Sequence, residues 1–207
     1  MRRYDNLFKK AIAPEYLFTA WDEFHKGKRN KPDVLRFEME LEQNIFQLHR
    51  ELQNRTYKHG AYTGFKICDP KLRHIHKATV RDRVVHHAVF KVLNRVFEPT
   101  FIADSFSCRI GKGTHKGVAR VQQMIHQVSK NQTHPCYALK CDVRKFFDTV
   151  DHDILLVILR RRITDPAMLW LLEEIVESYI SVISRERERE RERERRRAAA
   201  LAYLSAI

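Results

Sequence analysis

The chain has 207 residues, 43% of them hydrophobic, with 39 Lys and Arg against 26 Asp and Glu, a formal net charge of +13. That length can bury a core as one large domain or two small ones. No apolar run reaches about eighteen residues and the start MRRYDNLFKKAIAPEYLF lacks a signal-peptide core, which argues against a membrane span or export and for a soluble, cytoplasmic protein.

The cationic excess suits a polyanion, nucleic acid before membrane, because no amphipathic basic helix with an aromatic insertion face stands out; ordinary solubility charge is the alternative. Arg185 to Arg197 holds eight Arg and five Glu, so most of the excess lies in the body. Cys68, Cys108, Cys136 and Cys141 are spaced too irregularly for a zinc site and read as reduced, mostly buried thiols. The eleven His show no metal-ligand spacing; His86 and His87 read as a helix surface or core edge.

In chain order, Leu7 to Lys26 reads as helix, broken near Pro14, with Leu17, Trp21 and Phe24 on one stripe and a basic loop after it. The clearest helix follows, with Val34, Phe37, Leu41, Ile45, Leu48 and Leu52 recurring at three and four. Phe65–Cys68 and Leu72–His76, around Asp69-Pro70-Lys71, read as a β-hairpin. Lys71 and Arg73 flank Leu72, so on a strand they would share a face and could grip two phosphate oxygens; two solvated charges at a hairpin tip is the plainer reading.

Thr79, with Asp82 three residues on, opens a helix whose stripe is Val85, Val89, Val92 and Val96. Arg81 and Arg83 lie near its start, where two arginines on a helix read as solvated charges. Ser105 to His115 is a loop with Arg109, Gly111, Lys112 and Gly113, suited to a close phosphate approach but not a P-loop. Thr114 would cap the next helix, striped by Val118, Val121, Ile125 and Val128.

Tyr137 to Leu156, YALKCDVRKFFDTVDHDILL, is the centre of the chain. Tyr137, Leu139, Cys141 and Val143 alternate with Ala138, Lys140 and Asp142, which predicts a strand delivering Asp142 at its C-terminal end. From spacing alone Asp142 either caps a turn or offers a hard oxygen to Mg²⁺ and substrate phosphates. Asp151-His152-Asp153 reads as the N-cap and acidic first turn of a helix, and a second helix, Met168 to Ile183, follows a break at Thr164-Asp165-Pro166. Arg160-Arg161-Arg162 suits the first helix's C-terminal dipole. From Arg185, alternating Arg and Glu is what a repeated AG dinucleotide encodes in any frame, so the tail reads as a simple-repeat insertion or a low-complexity charged tail.

The string D-V-x-x-F-F-D-x-V-D-H-x-x-L beginning at Asp142, together with DPKLRHIHKATVRDRVVHHAVFKVLNRVFEPTFIADSFSCRIGKGTH from Asp69 to His115, resembles the bacterial reverse transcriptases of group II introns, retrons and diversity-generating retroelements, the last type most. The likeness covers roughly Phe65 to Ser184. It implies an α+β fold, the fingers of a right-hand polymerase with the first part of the palm, helix-rich with short antiparallel strands, palm incomplete and no thumb. The segments would be a helical region over 1–60, fingers over 61–135, palm over 136–184 and the tail over 185–207.

The same resemblance implies an RNA-directed DNA polymerase using Mg²⁺, held by Asp142 and the Val143 carbonyl. Lys71, Arg73, Val143 and Phe147 would contact the deoxynucleotide, Phe147 as a steric gate. Arg81, Arg83, Arg109, Lys112 and His115 would contact nucleic acid. Partners would be an RNA template, a DNA or RNA primer and deoxynucleotide triphosphates, and the resemblance allows a basic accessory protein. Two-metal transfer needs further carboxylates, which the family draws from a later Y-x-D-D hairpin; the 207 residues contain no adjacent pair of aspartates. The expectation is therefore a reverse transcriptase fragment that does not polymerise, with a non-catalytic nucleic-acid-binding remnant or an intron maturase fragment as alternatives, and with a low, poorly cooperative melt.

Overall fold

A computed structural model describes residues 2–143 and 146–179, with the backbone alone at 147 and 148. The side chain of Phe147, the helix end at Ile183 and the Arg-Glu tail lie outside the described residues. The chain divides into two compact units, one from the chain up to Val92 together with the chain from Val150 onward, the other from Leu93–Thr149. Among the described residues the fold is helix-rich with one two-stranded antiparallel sheet. No helix among the described residues is long and apolar enough to cross a membrane.

In the first unit, α1 (Leu7–Ile12) stops where Pro14 forces its predecessor Ala13 into extended backbone (φ −55°, ψ 135°), and α2 (Pro14–His25) starts with that proline in its first turn. The long helix expected from Val34 to Leu52 is instead two, α3 (Pro32–Met39) and α4 (Leu41–Gln53), because Glu40 leaves helical geometry at φ −123° and ψ 38°. The Asn44 side-chain amide donates to the Phe37 carbonyl (3.0 Å), an acceptor near the break. The stripe survives the break: Val34, Ile45, Leu48 and Leu52 are buried beside Leu17, Trp21 and Phe24 of α2.

The hairpin forms as β1 (Thr63–Cys68) and β2 (Leu72–Lys77), with Phe65 opposite Ile75 and Ile67 opposite Arg73. Then α5 (Val80–Phe97) buries Val85, Val89, Val92 and Val96 as its spacing requires. At its start, Thr79 and Asp82 bond reciprocally, the hydroxyl donating to Oδ2 (2.5 Å) and the Asp82 N–H to Oγ1 (3.3 Å). Asp82 does more than cap. Wholly buried, it also accepts the Tyr57 hydroxyl on Oδ1 (2.8 Å) and the Gly60 N–H on Oδ2 (3.1 Å). Gly60 is obligatory here, since a Cβ would stand 2.8 Å from Asp82 Oδ2 and 2.9 Å from Thr79 Cγ2.

Beside this carboxylate, Nδ1 of His59 donates to the Gly60 carbonyl (2.7 Å), which leaves its Nε2 to accept from His86 Nε2 at 3.1 Å. His86 and His87 thus stand at a core edge, half-buried on α5.

Later in the first unit, Asp151 caps α8 (His152–Arg160), accepting the Ile154 N–H (3.0 Å). A last helix, α9, runs over residues 166–179. Its cap, Asp165, is shared: Oδ1 accepts the Ala167 and Met168 N–H groups (3.0 and 3.2 Å), and Oδ2 accepts the Phe8 N–H in the first turn of α1 (2.7 Å). The adjoining Tyr4–Ile163 bridge is parallel, with Tyr4 donating to the Arg162 carbonyl (2.8 Å) and accepting from the Thr164 amide (2.9 Å).

In the second unit a 3₁₀ turn (Glu98–Thr100) leads to a loop, then α6 (Thr114–Val128) and a short α7 (Phe146–Thr149). Gly113, not Thr114, caps α6, and the helix makes no side-chain cap bond. Its stripe is formed but uncovered: Val118, Val121, Ile125 and Val128 are 53, 54, 40 and 65% exposed.

Two expectations are corrected. Residues 137–143 form no strand; they run irregular and exposed, Tyr137 at 91% and Leu139 at 90%. Alternation gives a strand two faces but not a neighbour, and no described strand pairs its amides and carbonyls. The four cysteines are exposed rather than buried. Cys68 lies at the hairpin end, Cys108 in a left-handed loop position (φ 55°), and Cys136 and Cys141 flank or lie in that irregular segment.

Two measurements check this account. Asp165→Ala, which uncaps two helices at once, is expected to lower urea-unfolding stability by about 2 kcal/mol, and Asp165→Asn, which keeps an accepting oxygen, by about half as much. Burial first, and then the His59 ring, push the His86 pKa down from 6.5 to about 4. Between those values the unfolded chain binds a proton that the folded chain refuses, so stability is full above about 6.5 and falls as pH drops towards 4, by up to ~3 kcal/mol at the limit. Chemical denaturation from pH 7.5 to 4.5 should show that slope, and His86→Gln should flatten it.

Candidate functional site

The hairpin alternates strictly, so Thr63, Phe65 and Ile67 share one face with Arg73, Ile75 and Lys77, while Gly64, Lys66 and Cys68 share the other with Leu72, His74 and His76. Arg73 lies in β2, but Lys71 lies in the bend before it, so the two cations do not form the same-face strand pair that spacing suggested. Both are exposed, as is Lys66, and none of the three side chains makes a hydrogen bond or ion pair among the described residues. A tight turn brings backbone and cations forward together; uncompensated Lys and Arg there can meet phosphate oxygens as a point charge and a planar fork.

The root of the hairpin is held firmly. Lys77 pairs with Asp33 (2.7 Å), which also takes Arg83 (2.6 Å). Burial works to raise the Asp33 pKa, but the hydrogen bonds and charges of Lys77 and Arg83 outweigh it and hold the carboxyl below its usual range. On the other side, Glu174 of α9 accepts the His59 N–H (3.1 Å) and the Lys58 ammonium (2.8 Å). Tyr62 meets Ser178 by hydroxyl–hydroxyl contact (3.3 Å), and the Tyr179 ring stands edge-on to Tyr62 (5.7 Å) and to His76 (6.0 Å).

The remaining expected nucleic-acid residues divide sharply. Arg81 bonds to Glu51 and to the Lys58 carbonyl (3.2 Å) and lies over the Tyr57 ring (4.8 Å). Arg83 joins Asp33 and lies over the Phe24 ring (4.8 Å). These two arginines are therefore engaged in joining α5 to the N-terminal helices and their following loop.

In the second unit, Arg109 organises its own loop: it pairs with Glu98 (2.8 Å) and donates to the Ile102 and Ser105 carbonyls (2.8 and 3.0 Å). Lys112 donates to the Ala103 carbonyl (2.7 Å). Gly111 (φ +75°) and Gly113 (φ +107°) supply the left-handed turns that this stapling needs. His115 is exposed in the first turn of α6 and makes no bond among the described residues.

Asp142 and Val143 are exposed on irregular backbone. Among the described residues no group of three or more His, Cys, Asp or Glu could hold a metal, so Asp142 stands without the companions that a two-metal centre requires. The described residues do not fit such a centre, and no step through Mg²⁺ follows from them.

Sequence reasoning missed Gly60 and Glu174. A lone glycine ahead of a strand hints at a close approach, but nothing near Glu174 announces a partner 115 residues away. Lys66 was legible from the alternation once the hairpin was drawn.

The chain is similar to protein YkfC of Escherichia coli (strain K12), 27% identical over 108 residues, which are 52% of this chain and 28% of YkfC, so the match spans little more than a quarter of that relative. A family model described as reverse transcriptase (RNA-dependent DNA polymerase) matches residues 58–198, taking in the hairpin, α5, the Arg109 loop and Asp142. Matched over more than half its length, the chain belongs to the reverse transcriptase family.

Proposed function

We propose that this chain is the fingers and first palm segment of a reverse transcriptase, nearest the diversity-generating retroelement type, and that its hairpin binds the phosphates of deoxynucleoside triphosphates beside an RNA template and primer. The observation that carries this reading is the pair Lys71 and Arg73, exposed at one end of the hairpin with side chains uncompensated among the described residues, within the segment matched by the family model. Arg81, Arg83 and Arg109 are engaged with Glu51, Asp33 and Glu98, whereas at the hairpin a polyphosphate meets charge without displacing an internal partner.

Arg81, Arg83, Arg109 and Lys112 support nucleic-acid binding indirectly in this reading, by shaping the surfaces around them, and His115 contacts nucleic acid at the start of α6. A basic accessory protein of the element is a further partner in it, and the cytoplasm its place. In this reading Mg²⁺ is the cofactor of the family's complete catalytic set, to which Asp142 and the Val143 carbonyl would contribute contacts and Phe147 a steric gate. Because no adjacent pair of aspartates occurs in the sequence, template-directed nucleotide addition is assigned to the family's complete catalytic set and binding alone to this chain.

Titration with deoxynucleoside triphosphate at low salt tests the hairpin. Lys71→Ala with Arg73→Ala should weaken binding about tenfold or more, and the affinity should fall with salt. Primer extension on an RNA template with Mg²⁺ should give no product; template-dependent product abolished by Asp142→Ala would overturn the assignment of binding without turnover.

A further inference from the structure

Just ahead of the hairpin, two carboxylates from two different helices take two successive backbone amides. Glu174 of α9 accepts the His59 N–H (3.1 Å), and Asp82 of α5 accepts the Gly60 N–H (3.1 Å). The residues around them leave this segment little freedom. The Tyr57 hydroxyl is on Asp82 (2.8 Å), the His59 ring lies between His86 (3.1 Å between Nε2 atoms) and a stacked Tyr62 (centroids 4.8 Å), and a Cβ on Gly60 has no room. Three residues after Gly60 the chain enters β1, whose partner strand carries Arg73 and is preceded by Lys71.

The two carboxylates differ in what they can reveal. Asp82 is wholly buried and holds the Thr79 hydroxyl that caps α5, so its loss would disturb the core and the hairpin together. Glu174 sits at the edge, its side chain 15% exposed, and its other partner, Lys58, is 79% exposed. Such an exposed pair adds little by itself. Beside the contacts of Ser178 and Tyr179 with Tyr62, Glu174 supplies a bond from α9 to the backbone at the hairpin root.

We propose that Glu174 is a positioning residue for the polyphosphate-binding hairpin: it touches no ligand, and by fixing the His59 amide it holds the hairpin root so that Lys71 and Arg73 are presented already oriented. The inference rests on the hairpin reading given under the proposed function. Holding the root before binding removes an ordering cost that would otherwise be met when the triphosphate arrives.

The test uses the full chain, amide hydrogen exchange over residues 63–77, and titration with deoxyadenosine triphosphate. Glu174→Ala should speed hairpin exchange and weaken triphosphate binding about tenfold. Glu174→Gln keeps an oxygen for the His59 N–H, and Lys58→Ala removes only the exposed ion pair; both should bind within about twofold of the parent. A merely structural Glu174 would lower thermal stability in the Ala variant with affinity unchanged, and that result overturns the inference. Hairpin exchange unchanged in Glu174→Ala overturns it as well. If the parent chain binds no triphosphate, or binds it as well after Lys71→Ala with Arg73→Ala, the hairpin reading fails and takes the inference with it, whatever exchange shows.

Discussion

A carboxylate closed off from water must find all of its hydrogen-bond partners inside the protein, and Asp82 is the place where this chain meets that demand. Its donors come from the residue that starts its own helix, Thr79, and from a segment more than twenty residues earlier, Tyr57 and Gly60. Each donor is therefore fixed in space by a group that cannot be left unanswered. The hairpin springs from the segment so fixed, and α5 begins from the same carboxylate. The charged hairpin thus grows out of a segment held by a buried carboxylate.

Charge is distributed on the same principle. Cations close to the core have carboxylates or carbonyls beside them: Arg81 has Glu51, Arg83 and Lys77 share Asp33, and Arg109 has Glu98 with two carbonyls. Among the described residues the hairpin cations Lys66, Lys71 and Arg73 have no such partner for their side chains. An excess of +13 says that a polyanion would be attracted; the pairing pattern says where its charge would be met.

Features decided within a few residues were legible in the sequence. Pro14 breaks a helix by its own geometry, Asp151 caps one, Thr79 with Asp82 writes a capping box, and alternation around Asp69-Pro70 draws the hairpin. What could not be read depends on partners brought from far away. The second role of Asp165 and the grip of Glu174 leave no local trace. The apolar alternation from Tyr137 to Val143 is real, yet a strand is a property of two segments and only one was in the pattern. Four cysteines were assigned to the interior from their residue type, and location overruled type. The candidate site was half legible: the cations were visible, but which of them were already engaged was not.

The sharing of Asp165 between α9 and α1 has a consequence for how the chain acquires its structure. The Phe8 amide waits for an acceptor 157 residues further along, so during synthesis the first helix lacks this partner until Asp165 has left the ribosome. Closing so long a loop is entropically costly and slow compared with forming the local helices on either side of it. The N-terminal segment is thus made among the first and docked among the last, and the step that joins Tyr4 and Phe8 to residues 162–165 is the natural place for folding of this unit to be completed or to stall.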